Sequence, residues 1–205
     1  MKNTLILVNK EHGLSKDYKP FDLVKTDNNE NNFHGFLDPK LKPMVRREVL
    51  RNFKKLRREA MLEKLNIAID NGYRSSEYQA QLMCRIFDDY LAEFGNQDIA
   101  YDKTMARVAM PGKSEHQTGL AFDMGYYKDG IYHNDVVDSQ EAEWMAKNAH
   151  NFGFILRYPL GKEDITGYQY EPWHFRYVGV DNSIYIFKNN ITFEEYHEMV
   201  LKKRA

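Results

Sequence analysis

Apolar and polar residues alternate along two short stretches of the chain, as is typical of strands with one buried face. In LAFDM, residues 120–124, the alternation places the three large apolar side chains on one face and Asp123 on the other. In WHFRYVG, residues 173–179, it places the three aromatic side chains on one face and His174 and Arg176 on the other. Each stretch therefore predicts a strand that buries its apolar face and directs ionisable side chains away from it.

Helical spacing and turn residues predict the other elements of the chain. Further strands are predicted over residues 5–9, 66–72 and 154–158. Helices are predicted over residues 38–65, opened by Asp38 and Pro39; over 76–94, with Ser76 and Gln79 as a capping box and Gly95 as terminator; over 138–151; and after a capping box of Thr192 and Glu195.

These strands and helices follow one another without the regular strand–helix–strand rhythm of parallel sheets. Such an order is typical of an α+β fold with a mainly antiparallel sheet. A chain of 205 residues can bury one substantial core. The prediction is one small domain, residues 1–205, in which helices flank an antiparallel sheet that carries the candidate site.

Composition and charge restrict the classes of protein to consider. Apolar residues make up 42% and charged residues 29%, with a formal net charge of -1, so no basic surface for nucleic acid is predicted. The apolar run at residues 5–8 is too short for a signal-peptide core, and no segment approaches a membrane span, so a cytoplasmic location is expected. The single cysteine, Cys84, excludes an internal disulfide and lies in an apolar helical pattern that predicts a buried filler.

Two histidines and one aspartate form the first candidate site. His116 precedes the strand that contains Asp123, and Gly119 between them permits a turn or a close backbone approach. Taken alone, this pair is better interpreted as an ordinary loop histidine and a solvent-facing acid. His174 changes that balance, because two histidines and one carboxylate are the ligands of many catalytic zinc sites, which keep a fourth position for water.

Glu171 would be the acid beside such a metal and would act as general base. Glu171 and His174 are three residues apart, so a straight strand would direct them to opposite faces. Pro172 cannot donate to a strand ladder and restricts the residue before it. We therefore predict a bend at Glu171–Pro172 that turns the carboxylate towards the metal.

Arg74 is a candidate for binding an anionic group. It follows a predicted strand and a glycine, immediately before a helix whose N-terminus favours negative charge. A guanidinium at this place can hold a carboxylate through two hydrogen bonds. The alternative is a surface arginine paired with Glu77 or Asp70, which is at least as plausible for this residue alone.

Three motifs together resemble the zinc D-alanyl-D-alanine peptidases, a group that shares its fold with lysostaphin-type enzymes and the hedgehog signalling domain. SEHQTGLAFD and EPWH match the two metal-site signatures, and GYRSSEYQ matches the third. The chain looks closest to the vancomycin-resistance D,D-carboxypeptidases, in particular the cytoplasmic type that is also a dipeptidase. The resemblance implies that His116, Asp123 and His174 bind one zinc ion, that Glu171 is the catalytic base and later the acid, and that Arg74, Gln79 and Ser114 contact the peptide substrate.

The reaction implied by this resemblance is hydrolysis of the terminal bond of cell-wall precursors or dipeptides ending in D-Ala-D-Ala. An L,D-carboxypeptidase or a stem-peptide endopeptidase of the same fold would use the same chemistry. A zinc-bearing binding module without catalysis is a third hypothesis, which the presence of Glu171 disfavours. A structural zinc site would require a fourth protein ligand, usually cysteine.

Overall fold

The computed structural model describes residues 4–26 and 43–202. The strands are β1 (Leu23–Lys25), β2 (Met44–Arg46), β3 (Asn66–Asn71), β4 (Ala121–Lys128), β5 (Ile131–His133), β6 (Phe154–Leu156) and β7 (His174–Tyr177). The α-helices are α1 (Arg47–Leu62), α2 (Ser76–Phe94), α3 (Gln97–Arg107), α4 (Gln140–Asn148), α5 (Glu163–Thr166), α6 (Val180–Asn189) and α7 (Phe193–Lys202); two 3₁₀ helices cover Glu115–Thr118 and Ala149–Phe152.

The larger sheet has five strands, all paired antiparallel. Its strand order is β3-β4-β7-β6, and β5 pairs with the second half of β4. A separate two-stranded sheet joins β1 and β2. The prediction of an α+β fold with a mainly antiparallel sheet is confirmed, and β4 is the strand on which the site is centred.

One face of this sheet packs against the helices to form the main core. Phe122 of β4 stacks on Phe175 of β7 and meets Phe53 of α1 edge-on. Helix α1 buries residues at helical spacing on the same side: Val49, Phe53, Leu56 and Ala60. The predicted division of β4 and β7 into an apolar and an ionisable face is confirmed.

Two predicted elements near the N-terminus are wrong in whole or in part. Residues 5–9 form no strand; the carbonyl of Ile6 and that of Thr4, just before the segment, accept hydrogen bonds from the Arg176 side chain. The first part of the helix predicted over 38–65, up to position 42, lies outside the described residues. Residues 44–46 are strand β2 because they pair with β1, so α1 begins only at Arg47.

Three local expectations about the helices also need correction. The cap of α2 is Ser75, whose Oγ accepts from the amide of Tyr78, whereas Gln79 is buried beneath the helix. Cys84 is exposed on α2 and is not a core filler. Helix α3 was not predicted, and α4 begins at Gln140 after a Ser139 cap.

Two predicted helix termini, the end of α2 and the start of α7, agree with the sequence. Gly95 ends α2 in the left-handed conformation, and Thr192 and Glu195 exchange capping-box hydrogen bonds at the start of α7. Within residues 4–26 and 43–202, no helix has the length and apolarity needed to cross a membrane.

Candidate active site

The site is centred on Asp123, which lies in the middle of three paired strands. Asp123 of β4 pairs directly with His174 of β7 on one side and with Asn71 of β3 on the other. Residues directly opposite in an antiparallel pair project to the same face. The Oδ1 atom of Asp123 accordingly lies 3.2 Å from Nδ1 of His174.

His116 reaches the same point from the 3₁₀ helix that precedes β4. This helix ends at Gly119, whose φ of 64° is in the left-handed region, and a Cβ there would lie 2.8 Å from the Leu23 side chain. The turn brings Nε2 of His116 to 3.3 Å from Asp123 Oδ1. Gly119 therefore serves both the turn and the close approach predicted for it.

The three side chains are arranged as a metal ion would require. One ligand atom from each of His116, Asp123 and His174 lies within 4.8 Å of the other two. Two ligands about 2.1 Å from a tetrahedral zinc ion are about 3.4 Å apart, close to the two distances above. His116 Nε2 and Asp123 Oδ1 are buried without a hydrogen-bond partner among the described residues, so a cation would satisfy both.

Secondary contacts fix the protonation of the two imidazoles. Nδ1 of His116 lies 2.7 Å from the carbonyl of Gly72, which directs the Nε2 lone pair to the metal position. Burial, together with the charge of Arg74, lowers the pKa of His116 to about 4. Burial opposes protonation of His174 as well, but Asp123 and Glu115 raise its pKa to about 9, so a metal ion must displace a proton there.

Gly72 is a supporting residue that the sequence interpretation did not single out. A Cβ at Gly72 would lie 2.2 Å from the carbonyl oxygen of Met44, because β2 passes directly over it. The backbone of Tyr73 donates to the same oxygen. The glycine in GYRSSEYQ thus allows the close approach of two strands that presents the Gly72 carbonyl to His116.

Glu171 is brought to the site by the predicted bend. Pro172 and Trp173 form a turn, the amide of His174 donates to the Glu171 carbonyl, and β7 begins only at His174. The Oε2 atom of Glu171 lies 3.6 Å from Nδ1 of His174. Burial is the main cause that raises the pKa of Glu171 to about 7, with a smaller contribution from Asp123 and an opposing one from His174.

The raised pKa of Glu171 predicts how the metal-free protein responds to pH. Protonated Glu171 stabilises the folded state below about pH 4.5, and this contribution is lost as the pH rises through about 7. A Glu171→Gln variant has no such group, so its free energy of unfolding should rise relative to the parent by about 3 kcal/mol between pH 4.5 and 8. Urea titrations of both metal-free proteins at several pH values measure this difference, and a difference independent of pH would contradict it.

Arg74 lies inside the cavity. Its Nη2 atom lies 3.8 Å from Asp123 Oδ2, and among the described residues the ion pair it forms is this one and not the alternatives with Glu77 or Asp70. Its Nε atom is buried without a partner in the described part of the chain. The guanidinium is thus free to bind an anionic or carbonyl oxygen next to the metal position.

A cavity of about 450 Å³ joins all seven residues selected from the sequence. Gln79 donates from Nε2 to the Ala109 carbonyl, while its buried Oε1 finds no partner within the described residues. Ser114 is buried at the start of the 3₁₀ helix. The other residues of the wall were not selected: Asp70, Asn71, Leu82, Ile86, Arg107, Val108, Ala109, Glu115, Met124, Asn134, Asp135, Val136, Tyr158, Tyr168 and Trp173.

An α+β fold with a His–Asp–His set and a neighbouring glutamate is the arrangement expected of a zinc metallopeptidase. The sequence profile of the VanY family, described as D-alanyl-D-alanine carboxypeptidase, matches residues 42–180. The chain belongs to this family.

Relatives and solved structures agree with this assignment. The chain is 40% identical to the bifunctional D-Ala-D-Ala dipeptidase and carboxypeptidase VanXYC of Enterococcus gallinarum over 96% of its length and 94% of that protein. It superposes with a TM-score of 0.80 on the D,D-pentapeptidase VanY of a VanB-type resistance cassette, at 30% identity over 94% of this chain and 98% of that one. The LD-carboxypeptidase LdcB gives a TM-score of 0.77 at 38% identity, over 96% of this chain and 86% of that chain.

The VanY structure was determined in complex with Zn(II). Together with the three ligand-type side chains that could hold one ion here, this identifies zinc as the cofactor. The earlier expectation of a zinc-dependent carboxypeptidase is confirmed.

Proposed function

We propose that this zinc peptidase removes the C-terminal D-alanine from peptidoglycan precursor peptides ending in D-Ala-D-Ala and also cleaves the free dipeptide. The observation that carries the proposal is the meeting of His116, Asp123 and His174 with the carboxylate of Glu171 at one end of the cavity. The printed names of the relatives support the substrate, because VanXYC is named for both activities.

In this proposal His116, Asp123 and His174 hold the zinc ion. Bound zinc supplies a Lewis acid that polarises a carbonyl and lowers the pKa of water to about 7. Glu171 takes a proton onto its carboxylate from the attacking water and passes it to the leaving nitrogen of D-alanine. Burial of Glu171 favours this role, because a carboxylate that is largely removed from water is a stronger proton acceptor than an exposed one.

Residues of the cavity wall around the metal position would bind the substrate. Arg74 has a free Nε and a guanidinium beside the metal position, so it is suited to hold the terminal carboxylate or the developing oxyanion. Gln79 offers its unpaired Oε1 to a peptide N–H, and Ser114 offers its hydroxyl. These contacts would favour peptides with a free C-terminus over bonds inside a longer peptide.

The substrate is tested by offering the zinc-loaded protein three peptides side by side: D-Ala-D-Ala, a stem pentapeptide ending in D-Ala-D-Ala, and a stem tetrapeptide ending in an L,D bond. We expect release of D-alanine from the first two, identified by mass spectrometry, and loss of release when a chelator removes the metal. A protein that bound zinc but cleaved none of the three would contradict the proposal and favour a binding module.

An L,D-carboxypeptidase is the second candidate function. The observation in its favour is the similarity to LdcB, which is named an LD-carboxypeptidase and is as similar in fold as the D,D-enzymes. Cleavage of the tetrapeptide alone would establish this alternative, and a fragment from within the stem would indicate an endopeptidase. The cytoplasmic location expected from the sequence stays a prediction.

A further inference from the structure

A buried ion network adjoins the metal site on the Nε2 side of His174, and its central residue, Glu115, is among the residues that line the cavity. Oε1 of Glu115 accepts from Nε of Arg157 at 2.9 Å and from Nη1 of Arg176 at 2.7 Å. All three side chains are fully buried. The second carboxylate oxygen, Oε2, forms no hydrogen bond with any described residue and lies 3.7 Å from Nε2 of His174, which also has no partner there.

The position of His174 explains why these two atoms face each other. Its Nδ1 is the nitrogen directed at Asp123 and Glu171, so Nδ1 must carry the lone pair that binds a metal. The proton of the neutral ring then resides on Nε2 and requires an acceptor. Oε2 of Glu115 is the unpaired acceptor at that place, just as the Gly72 carbonyl serves the opposite nitrogen of His116.

Two further contacts hold the network from outside the residues matched by the family profile. Glu194 of α7 accepts from Nη1 of Arg157 at 2.9 Å through Oε2 and also binds Nη2. Nη2 of Arg176 donates to the carbonyls of Thr4 and Ile6. Helix α7 therefore holds Arg157 in place and the N-terminal segment holds Arg176. These two arginines in turn hold the Glu115 carboxylate.

Stability alone is a weak reason for such a network. Removing two acids and two bases from water costs as much as their attraction returns, so buried ion pairs are often replaceable by apolar residues. A carboxylate behind a metal-binding histidine, in contrast, fixes the ring and makes it a stronger ligand.

We propose that Glu115 is the positioning residue for His174, and that Arg157 and Arg176 hold its carboxylate so that one oxygen faces Nε2 of the imidazole. The inference rests on the proposed role of His174 as a zinc ligand. It adds a positioning residue that acts on the metal through the histidine.

The test measures zinc affinity by competition with a chromophoric chelator. In Glu115→Gln, affinity should fall about 10–100-fold, because a neutral amide replaces the carboxylate. The visible spectrum of the Co(II)-loaded variant should change with the orientation of the ring. Glu63→Gln is the matched control. Glu63 accepts a hydrogen bond from Trp144 at 2.7 Å and lies outside the cavity, so the zinc affinity of this variant should stay within about twofold of the parent.

A variant at Arg176 separates orientation from fold stability. Arg176→Gln removes one buried positive charge, equal in size to the negative charge that Glu115→Gln removes. It leaves Glu115 held by Arg157, so zinc affinity should fall no more than about threefold. Should Glu115→Gln fail to fold, the charge-balanced double variant with Arg176→Gln replaces it and should bind about 10-fold more weakly than Arg176→Gln alone. The inference is overturned if Glu115→Gln binds zinc as tightly as the parent. It is also overturned if the double variant binds zinc as tightly as Arg176→Gln alone. A parent that binds no zinc would instead refute the proposed function.

Discussion

Replacing Glu171 by glutamine is expected to lower kcat for D-alanine release by about 10²–10⁴-fold. The amide keeps the size of the side chain and its place in the bend before β7, but it cannot accept the proton of the attacking water. KM should change little, because the carboxylate is required mainly in the transition state. Steady-state kinetics on the pentapeptide, with D-alanine measured directly, test this expectation.

The same variant should still bind one zinc ion per chain. Glu171 lies 3.6 Å from the Nδ1 atom of His174 and is not among the three side chains that could share an ion. A suitable control is Glu143→Gln, since Glu143 is exposed on α4 and pairs only with Lys147 among the described residues. If Glu171→Gln kept more than about a tenth of the parent kcat with full zinc occupancy, Glu171 would not be the general base.

The sequence was sufficient for the parts of the site that depend on strand periodicity and on bond geometry. Alternation alone separated His174 and Asp123 from their apolar neighbours, and both now face the cavity. The restriction imposed by Pro172 required a bend at Glu171, and the turn before His174 is that bend. Such features are local, so distant residues cannot easily change them.

The register of the sheet could not be read in this way. Asp123 meets His174 because the two strands pair at that position, which periodicity does not determine. The resemblance to a known family, which carries the spatial arrangement with it, supplied what the alternation of residues left open. The sequence likewise left open whether Arg74 lies on the surface or at the site, and the structure places its guanidinium beside Asp123.

Two of the wrong predictions share one physical cause. The apolar positions within residues 44–46 continue the helical spacing of the segment that follows, but pairing with β1 holds these residues extended. The apolar segment at residues 5–9 looks like a strand, yet carbonyls there bind the Arg176 side chain. Cys84 follows an apolar pattern on a helix whose described residues are largely half-buried or exposed. In the first two cases tertiary contacts decided between conformations that local propensity allows, whereas Cys84 is helical as predicted and only its burial was wrong.

Glu115 shows why supporting residues are hard to find from sequence. It stands between two selected residues, Ser114 and His116, in a motif where it looks like a solvent-facing acid. Its partners, Arg157 and Arg176, lie on other parts of the chain, and only folding reveals that all three are buried. Charged residues are rarely buried unless they are paired, so the missing information was the location of the pairs.

Replacing His116 by alanine should weaken zinc binding by about 100-fold or more, since structural sites with four ligands bind zinc with about 10–16 kcal/mol, or roughly 3 kcal/mol per ligand. The variant should therefore purify with little metal and show little activity at low zinc concentration, as elemental analysis and the D-alanine assay would reveal. Among the described residues the group that could share an ion consists of His116, Asp123 and His174, so the loss of His116 leaves two of its three ligands.

His150→Ala is the control for the loss of an imidazole, since His150 stacks on Phe187 away from the cavity and should leave zinc affinity unchanged. The comparison with Glu171→Gln makes the pair of variants informative. His116→Ala should lose the metal and with it the activity, whereas Glu171→Gln should lose the activity and keep the metal. Full zinc binding by His116→Ala would mean that the ion is held elsewhere, and the division of roles between ligands and base would have to be abandoned.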